Sequence, residues 1–427
     1  MTFPKTSDVA IERVAVSKIL AGVDSARAEL IKVVQDLVRV PSETPPSDTR
    51  AIARVVAKLL SGLNNIRVSF HPSETPVENL VAMTRGSRPG KRLILNGHLD
   101  TYPAGDSSLW TDDPFSGVLR DGKIFGRGSV DMKGGIACSL LAFKLLAQNQ
   151  NLWAGELVMT LAGDEESMGT LGSQFLLDTV PEARGDAMLC GDVGSPLVPR
   201  IGEKGMIWID ISAFGKVAHG AHVHRGINAI DLLRAAMDAL SQLSDYTVQT
   251  PKEVAQVIAD AKSVSESLSG FGEASVLERI TVNFGRISGG ETANLVAGKA
   301  EVNADIRIPL GVSVVEVEAE IHRLLSPING IQFKINRRYE ATWTPPGDPI
   351  VQAIKEACYE VLGQHSSINM RVGASDARLY RAAGIPTVVC GLTPNNLGGP
   401  DEFVKIDELV SLAKIHTLTA LKFLALD

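Results

Sequence analysis

The 427-residue chain is mildly acidic, with 42 Lys and Arg against 49 Asp and Glu for a net charge of −7. No basic block stands out, which argues against nucleic acid or an anionic membrane as partner and leaves small molecules. Hydrophobic residues at 44% and a mean hydropathy of +0.10 exclude a disordered chain, while the length exceeds the ~250–300 residues at which one core usually splits, so two domains are expected.

Met1 to Leu20 is broken by Asp8, Glu12, Arg13 and Lys18 and lacks the apolar core of a signal peptide. No later run approaches the ~20 apolar residues that cross a bilayer. Cys138, Cys190, Cys358 and Cys390 form no Cys-x-x-Cys pair, so they read as free thiols in a reducing, cytoplasmic location. Residues 24–40 and 48–62 carry apolar positions at helical spacing and stop at Pro41 and Gly62. Strands are predicted at 66–71, 78–84 and 92–97, then a long irregular loop over 101–128 and an apolar helix at 132–148. From 205 the order becomes strand 205–215, helix 227–243, strands 276–287 and 299–308, helix 313–325 and strand 331–338. That β-α-β-β-α-β order specifies a ferredoxin-like α+β domain inserted in the first, with 244–275 as an extra helical excursion. Helices near 350–362, 376–383 and 407–424 and a strand at 386–390 then resume the α/β pattern. The expected domains are 1–204 with 339–427, and 205–338.

The chemistry sits where strands end. His98 and Asp100 follow one apolar run, Asp164-Glu165-Glu166 another, and Asp192 a third, while Asp131 opens the helix after the glycines 126 and 128. Groups at the carboxyl ends of neighbouring strands share one crevice in an open α/β sheet. One imidazole with several carboxylates suits zinc, manganese or cobalt better than calcium. Taken singly, His98 reads as a core histidine, Asp131 as a helix cap and Glu165-Glu166 as a solvated turn. Together they make a metal site in which Asp100 accepts the second imidazole N–H and fixes the tautomer. One of the two glutamates can ligate the ion while the other serves as general base.

His98-Leu99-Asp100, Gly126-Arg127-Gly128-x-x-Asp131-Met132-Lys133-Gly134, Asp164-Glu165-Glu166 and Gly373-x-Ser375-Asp376-Ala377 together resemble the zinc amidohydrolase and peptidase family of acetylornithine deacetylase, succinyl-diaminopimelate desuccinylase and glutamate carboxypeptidase. The resemblance covers most of the chain. It implies a mixed-sheet catalytic domain of the zinc-peptidase type with an inserted dimerisation lid, and hence a homodimer or higher homo-oligomer. It implies His98, Asp131, Glu166 and Asp192 as metal ligands, Asp131 bridging two ions, Glu165 as base and Asp100 as the residue orienting His98. In the lid it implies His219 as the group that steadies the substrate oxyanion from the partner subunit, and Asn294 and Arg307 as substrate-binding. The plainer alternatives are a surface histidine at 219 and an Arg307 paired with Asp305 or Glu301.

One position departs from the pattern. Where such proteins carry a last histidine ligand before Pro-Asp-Glu, this chain has Gly398 ahead of Pro400-Asp401-Glu402. The second ion thereby loses its only nitrogen ligand, and one ion is expected; Asn395 or Asn396 offers only an amide oxygen. Three readings stay open. In the first, a metal-activated water and Glu165 cleave the C–N bond of a small carboxylate-bearing amide, an N-acyl amino acid or dipeptide. In the second, the same water displaces ammonia from an electron-poor aromatic amine, as the resemblance to 5-nitroanthranilic acid aminohydrolase suggests. In the third, the chain binds without catalysis.

Overall fold

Residues 6–425 are described in the computed structural model, and they divide into two compact units: residues 6–201, 343–369 and 375–425, and residues 202–342 with 370–374. The return of 370–374 to the second unit has no periodic signal in the sequence. Met1 to Lys5 lie outside the described residues, and the rest of the stretch read against a signal peptide is a helix, Thr6–Ser25. The helix expected over 24–40 is thus two, the second being Arg27–Val38. Among the described residues no helix is long and apolar enough to cross a membrane.

In the first unit the strand Arg92–His98 is buried at six of seven positions, which continuous apolar character dictates for a strand covered on both faces. It pairs in parallel with Glu156–Ala162 on one side and Ala187–Cys190 on the other, and Thr387–Val389 adds a fourth parallel strand. Glu78–Arg85 and Arg67–Pro72 extend the sheet antiparallel beyond Glu156–Ala162, so the sheet is mixed. His98 and Ala162 stand opposite each other in register. The carboxyl ends of three adjacent strands therefore lie on one edge, each running into a segment that carries acids or an imidazole. The helix Gly134–Gln148 is apolar nearly all round because it packs between Arg92–His98 and the helix Ile406–Phe423. Residues 101–128, expected as irregular loop, contain a short hairpin of Leu119–Arg120 and Lys123–Phe125 that Phe403–Lys405 joins.

The second unit is a four-stranded antiparallel sheet in the order Thr281–Gly289, Lys299–Ile308, Gly205–Phe214, Ile331–Tyr339. Helices Ala229–Ser241 and Val314–Leu325 cover one face, Ile207, Ile209, Ile211, Val302, Ile306, Leu233, Val317 and Ile321 forming the core between them. This is the ferredoxin-like arrangement. Within 244–275 the chain forms the helix Lys252–Ser269, and the strand expected from 276 begins at Thr281 instead. A short helix, Glu273–Leu277, takes its place, turning Ala274 and Leu277, three residues apart, inward.

Candidate metal centre

Each strand end of the first unit delivers a functional group. His98 is 1% exposed, with Nε2 3.0 Å from Asp131 Oδ1. Its Nδ1 lies 2.9 Å from the backbone carbonyl oxygen of Asp100 and 3.6 Å from the Asp100 carboxylate. The atom of Asp100 nearest the imidazole Nδ1 is therefore its main-chain oxygen, with the carboxylate farther off. The Asp100 carboxylate has other work: it accepts from the backbone N–H groups of Glu165 and Glu166 at 3.1 Å each and from the Thr44 hydroxyl at 2.9 Å. It fixes the turn that presents both glutamates. Asp164 closes the same turn by accepting from Leu171 N–H.

His98, Asp131 and Glu166 form a group whose ligand atoms all lie within 4.8 Å of one another. Glu166 Oε1 is buried and has no hydrogen-bond partner, and a buried anionic oxygen without a donor is costly unless a cation meets it. The residues present fit a divalent transition ion. Asp192 is 2% exposed on the strand end beside His98, with Oδ1 accepting from Val193 N–H; it stands outside that three-residue group. Its neighbourhood depends on a close helix approach, because a Cβ on Gly135 would lie 2.0 Å from the Gly191 carbonyl oxygen.

The electrostatics are those of crowded buried acids. Burial first, then the Asp131 charge, pushes the Glu166 carboxyl up to about 10. Burial also raises Glu165 well above the ordinary range, the His98 charge opposing it and Asp192 and Asp376 adding to it. Burial would lower His98, but hydrogen bonds and charge from Asp100, Asp131 and Glu165 outweigh it and raise the imidazole well above 6.5. The raised Glu166 carboxyl holds a proton that a cation would displace.

Three contributors went unassigned in the sequence. Tyr102, inside the irregular loop, places its phenol against Glu166, whose charge, with burial, raises the phenol. Asp376 accepts from Ser173 Oγ at 2.7 Å and burial pushes it up to about 6. Glu402 accepts from the main chain at Val130 and Asp131. Asp376 and Glu402 had a signal, their places in Gly373-x-Ser375-Asp376 and Pro400-Asp401-Glu402, and Tyr102 had none.

Gly398 is exposed, has φ of +71° and would meet nothing within 4 Å with a Cβ. Space for a side chain exists there, but the backbone conformation is one that disfavours any residue but glycine. Asn395 and Asn396 spend their side-chain amides on the loop's own carbonyls, at Thr393 and Asp401.

In the second unit His219 is exposed and its Nδ1 accepts from Ala221 N–H. Asn294 is exposed beside it, its carbonyl taking the Gly220 N–H. Arg307 pairs with Asp305 at 2.9 Å while its buried Nη1 has no partner.

The model of peptidase family M20/M25/M40 matches residues 94–422. A succinyl-diaminopimelate desuccinylase of Rhodospirillum centenum is 30% identical over 397 residues, 90% of this chain and 95% of that protein. An uncharacterised metallohydrolase of Methanocaldococcus jannaschii is 26% identical over 420 residues, 91% of this chain and 97% of that one. The fold is similar to that of an M20 metallo-carboxypeptidase from Sulfolobus solfataricus, with a TM-score of 0.77 at 19% identity over 92% of this chain and 99% of the other.

Proposed function

The chain belongs to peptidase family M20/M25/M40 and is a metal-dependent hydrolase of amide bonds; on that premise we propose that it cleaves the C–N bond of a small carboxylate-bearing amide, an N-acyl amino acid or dipeptide-like compound. The observation that carries this reading is the convergence of His98, Asp131 and Glu166 beside a base, Glu165, at one sheet edge. A divalent ion held by these three, with Asp192 from the neighbouring strand, supplies Lewis-acid polarisation and a reactive water near neutral pH. Glu165 takes the proton of the attacking water and returns it to the leaving nitrogen; a carboxyl raised by burial is suited to both halves of that task. Asp100 holds the glutamates in place through their amides.

By the resemblance, His219 serves the site of the other subunit of a dimer as donor to the developing oxyanion, and Asn294 orients the substrate. Arg307 grips a substrate carboxylate, for which its unpartnered buried Nη1 is a free donor. One ion is bound, since position 398 offers no imidazole and the amide oxygens of Asn395 and Asn396 are poor ligands for a transition metal. The protein assembles as a homodimer through the second unit, where Val217, Ile227 and Ile287 are 60%, 53% and 60% exposed.

A panel of N-succinyl and N-acetyl amino acids, dipeptides and amino-substituted benzoates, given with Zn²⁺, Mn²⁺ or Co²⁺, tests the reading. We expect amine release from an acylated substrate, reduced ~10²–10⁴-fold in Glu165→Ala with metal content intact. Ammonia from the benzoates alone would replace amide hydrolysis with aromatic deamination, the outcome that the departure at Gly398 favours. A protein that retains no metal and turns over nothing would be a binding protein.

A further inference from the structure

The reading of Asp131 as a metal ligand leaves a buried ion pair directly behind it without a task. Arg127 and Glu402, 275 residues apart, have side chains 2% and 0% exposed, with Arg127 Nη1 2.5 Å from Glu402 Oε2. The other carboxylate oxygen, Oε1, accepts from the backbone N–H of Val130 at 2.8 Å and of Asp131 at 3.3 Å. Arg127 Nη2 donates to the carbonyl oxygens of Gly398 at 2.9 Å and Gly399 at 3.2 Å, and the guanidinium lies over the Trp110 ring. The Glu402 carbonyl oxygen in turn accepts from Gly126 N–H at 2.8 Å. Two side chains thus bind the segment 126–131 to the loop 398–402 at several points.

Desolvating two charges costs about what their attraction returns, so a buried pair is a weak source of stability; fixing one geometry is its better-attested use. The geometry fixed here is the backbone of Asp131, which at φ −119° and ψ 93° departs from helical geometry inside the turn 129–133. We propose that Glu402 and Arg127 are positioning residues that hold the Asp131 carboxylate where it ligates the metal. The inference rests on the ligand reading of Asp131 given above. It also gives the Gly398 loop a function that needs no imidazole: its carbonyls anchor Arg127.

The test is the affinity of the full-length protein for Zn²⁺ alone, by competition with a chromogenic chelator, beside the melting temperature of each variant. Glu402→Gln keeps an acceptor for the two amides but turns its NH2 toward the Arg127 guanidinium, so it should melt below the parent while binding Zn²⁺ more tightly than Glu402→Asp. Glu402→Asp keeps the charge but withdraws the oxygens by one methylene, and should bind roughly 10–100-fold more weakly. The pair Arg127→Met with Glu402→Leu removes both charges at similar volume, and should melt near the parent yet show the same loss of affinity. Parental affinity in both Glu402→Asp and the paired variant would overturn the proposal, as would Glu402→Gln losing as much as Glu402→Asp. A parent protein that binds no Zn²⁺ would overturn the ligand reading along with it, a result distinct from either.

Discussion

At the level of single residues, the dominant fact is that Glu165, Glu166, Asp131 and His98 are packed closer than free anions tolerate. Glu166 is raised to about 10 by burial and the Asp131 charge, and Glu165 and His98 are raised as well. In the ion-free protein the Glu166 carboxyl, raised to about 10, carries a proton at neutral pH, and a divalent ion must expel it. Metal affinity should therefore fall as the pH drops below about 10, with proton release on binding near pH 7. Calorimetric titration of Zn²⁺ in buffers of different ionisation enthalpy measures that release directly; affinity independent of pH would contradict the raised values. His98 also shows how a residue spacing leaves the contacting atom open. The spacing His98-x-Asp100 marks both as site residues, but carbonyl and carboxylate of Asp100 are equally near in sequence, and only the chain path makes the carbonyl the partner at 2.9 Å.

Between elements, the helix Ile406–Phe423 is tied to the sheet by His416, fully buried, with Nε2 2.7 Å from the Cys390 carbonyl oxygen and Nδ1 3.0 Å from Ser139 Oγ. Burial lowers this imidazole from 6.5 to about 4. An unfolded chain takes up the proton near pH 6.5, whereas the folded protein refuses it down to about 4, so the stability it contributes is fully present above the higher value and is lost on acidification between the two. The window is worth about 3 kcal/mol. Urea denaturation across that range, with His416→Gln as reference, should show the parent losing stability on acidification by that much more than the variant; parallel curves would refute the assignment. Helices and strands with strong periodicity were legible in advance, as for Arg92–His98, Gly134–Gln148 and Val314–Leu325. Glu273–Leu277 was not, because five residues carry too little periodicity to be told from a strand start.

For the whole molecule, the second unit exposes apolar side chains that a single copy has no use for. Val217 and Leu295 line a shallow hollow of about 390 Å³, and Ile227 and Ile287 stand exposed on the same unit. The proposed dimer would cover this surface, a closed two-fold pair being the commonest assembly of like chains. Light scattering on the full chain should report a dimer, and Ile227→Glu with Ile287→Glu should shift it to monomer without lowering the melting temperature of the first unit. A parent protein that is monomeric at micromolar concentration would remove this proposal.

The amino-acid sequence by itself determined the local chemistry: which strands are apolar on both faces, that each ends in an acid or imidazole, that the inserted segment folds as β-α-β-β-α-β, and that position 398 lacks a histidine. Those features depend on residues within a dozen positions of one another, where periodicity and turn chemistry act. Tertiary structure decided the pairings across long separations, Tyr102 against Glu166, Ser173 on Asp376, and Arg127 with Glu402 behind Asp131. A hydrogen bond between residues 275 apart leaves no periodic trace in the chain, since either partner alone is an ordinary polar residue until the fold removes it from water.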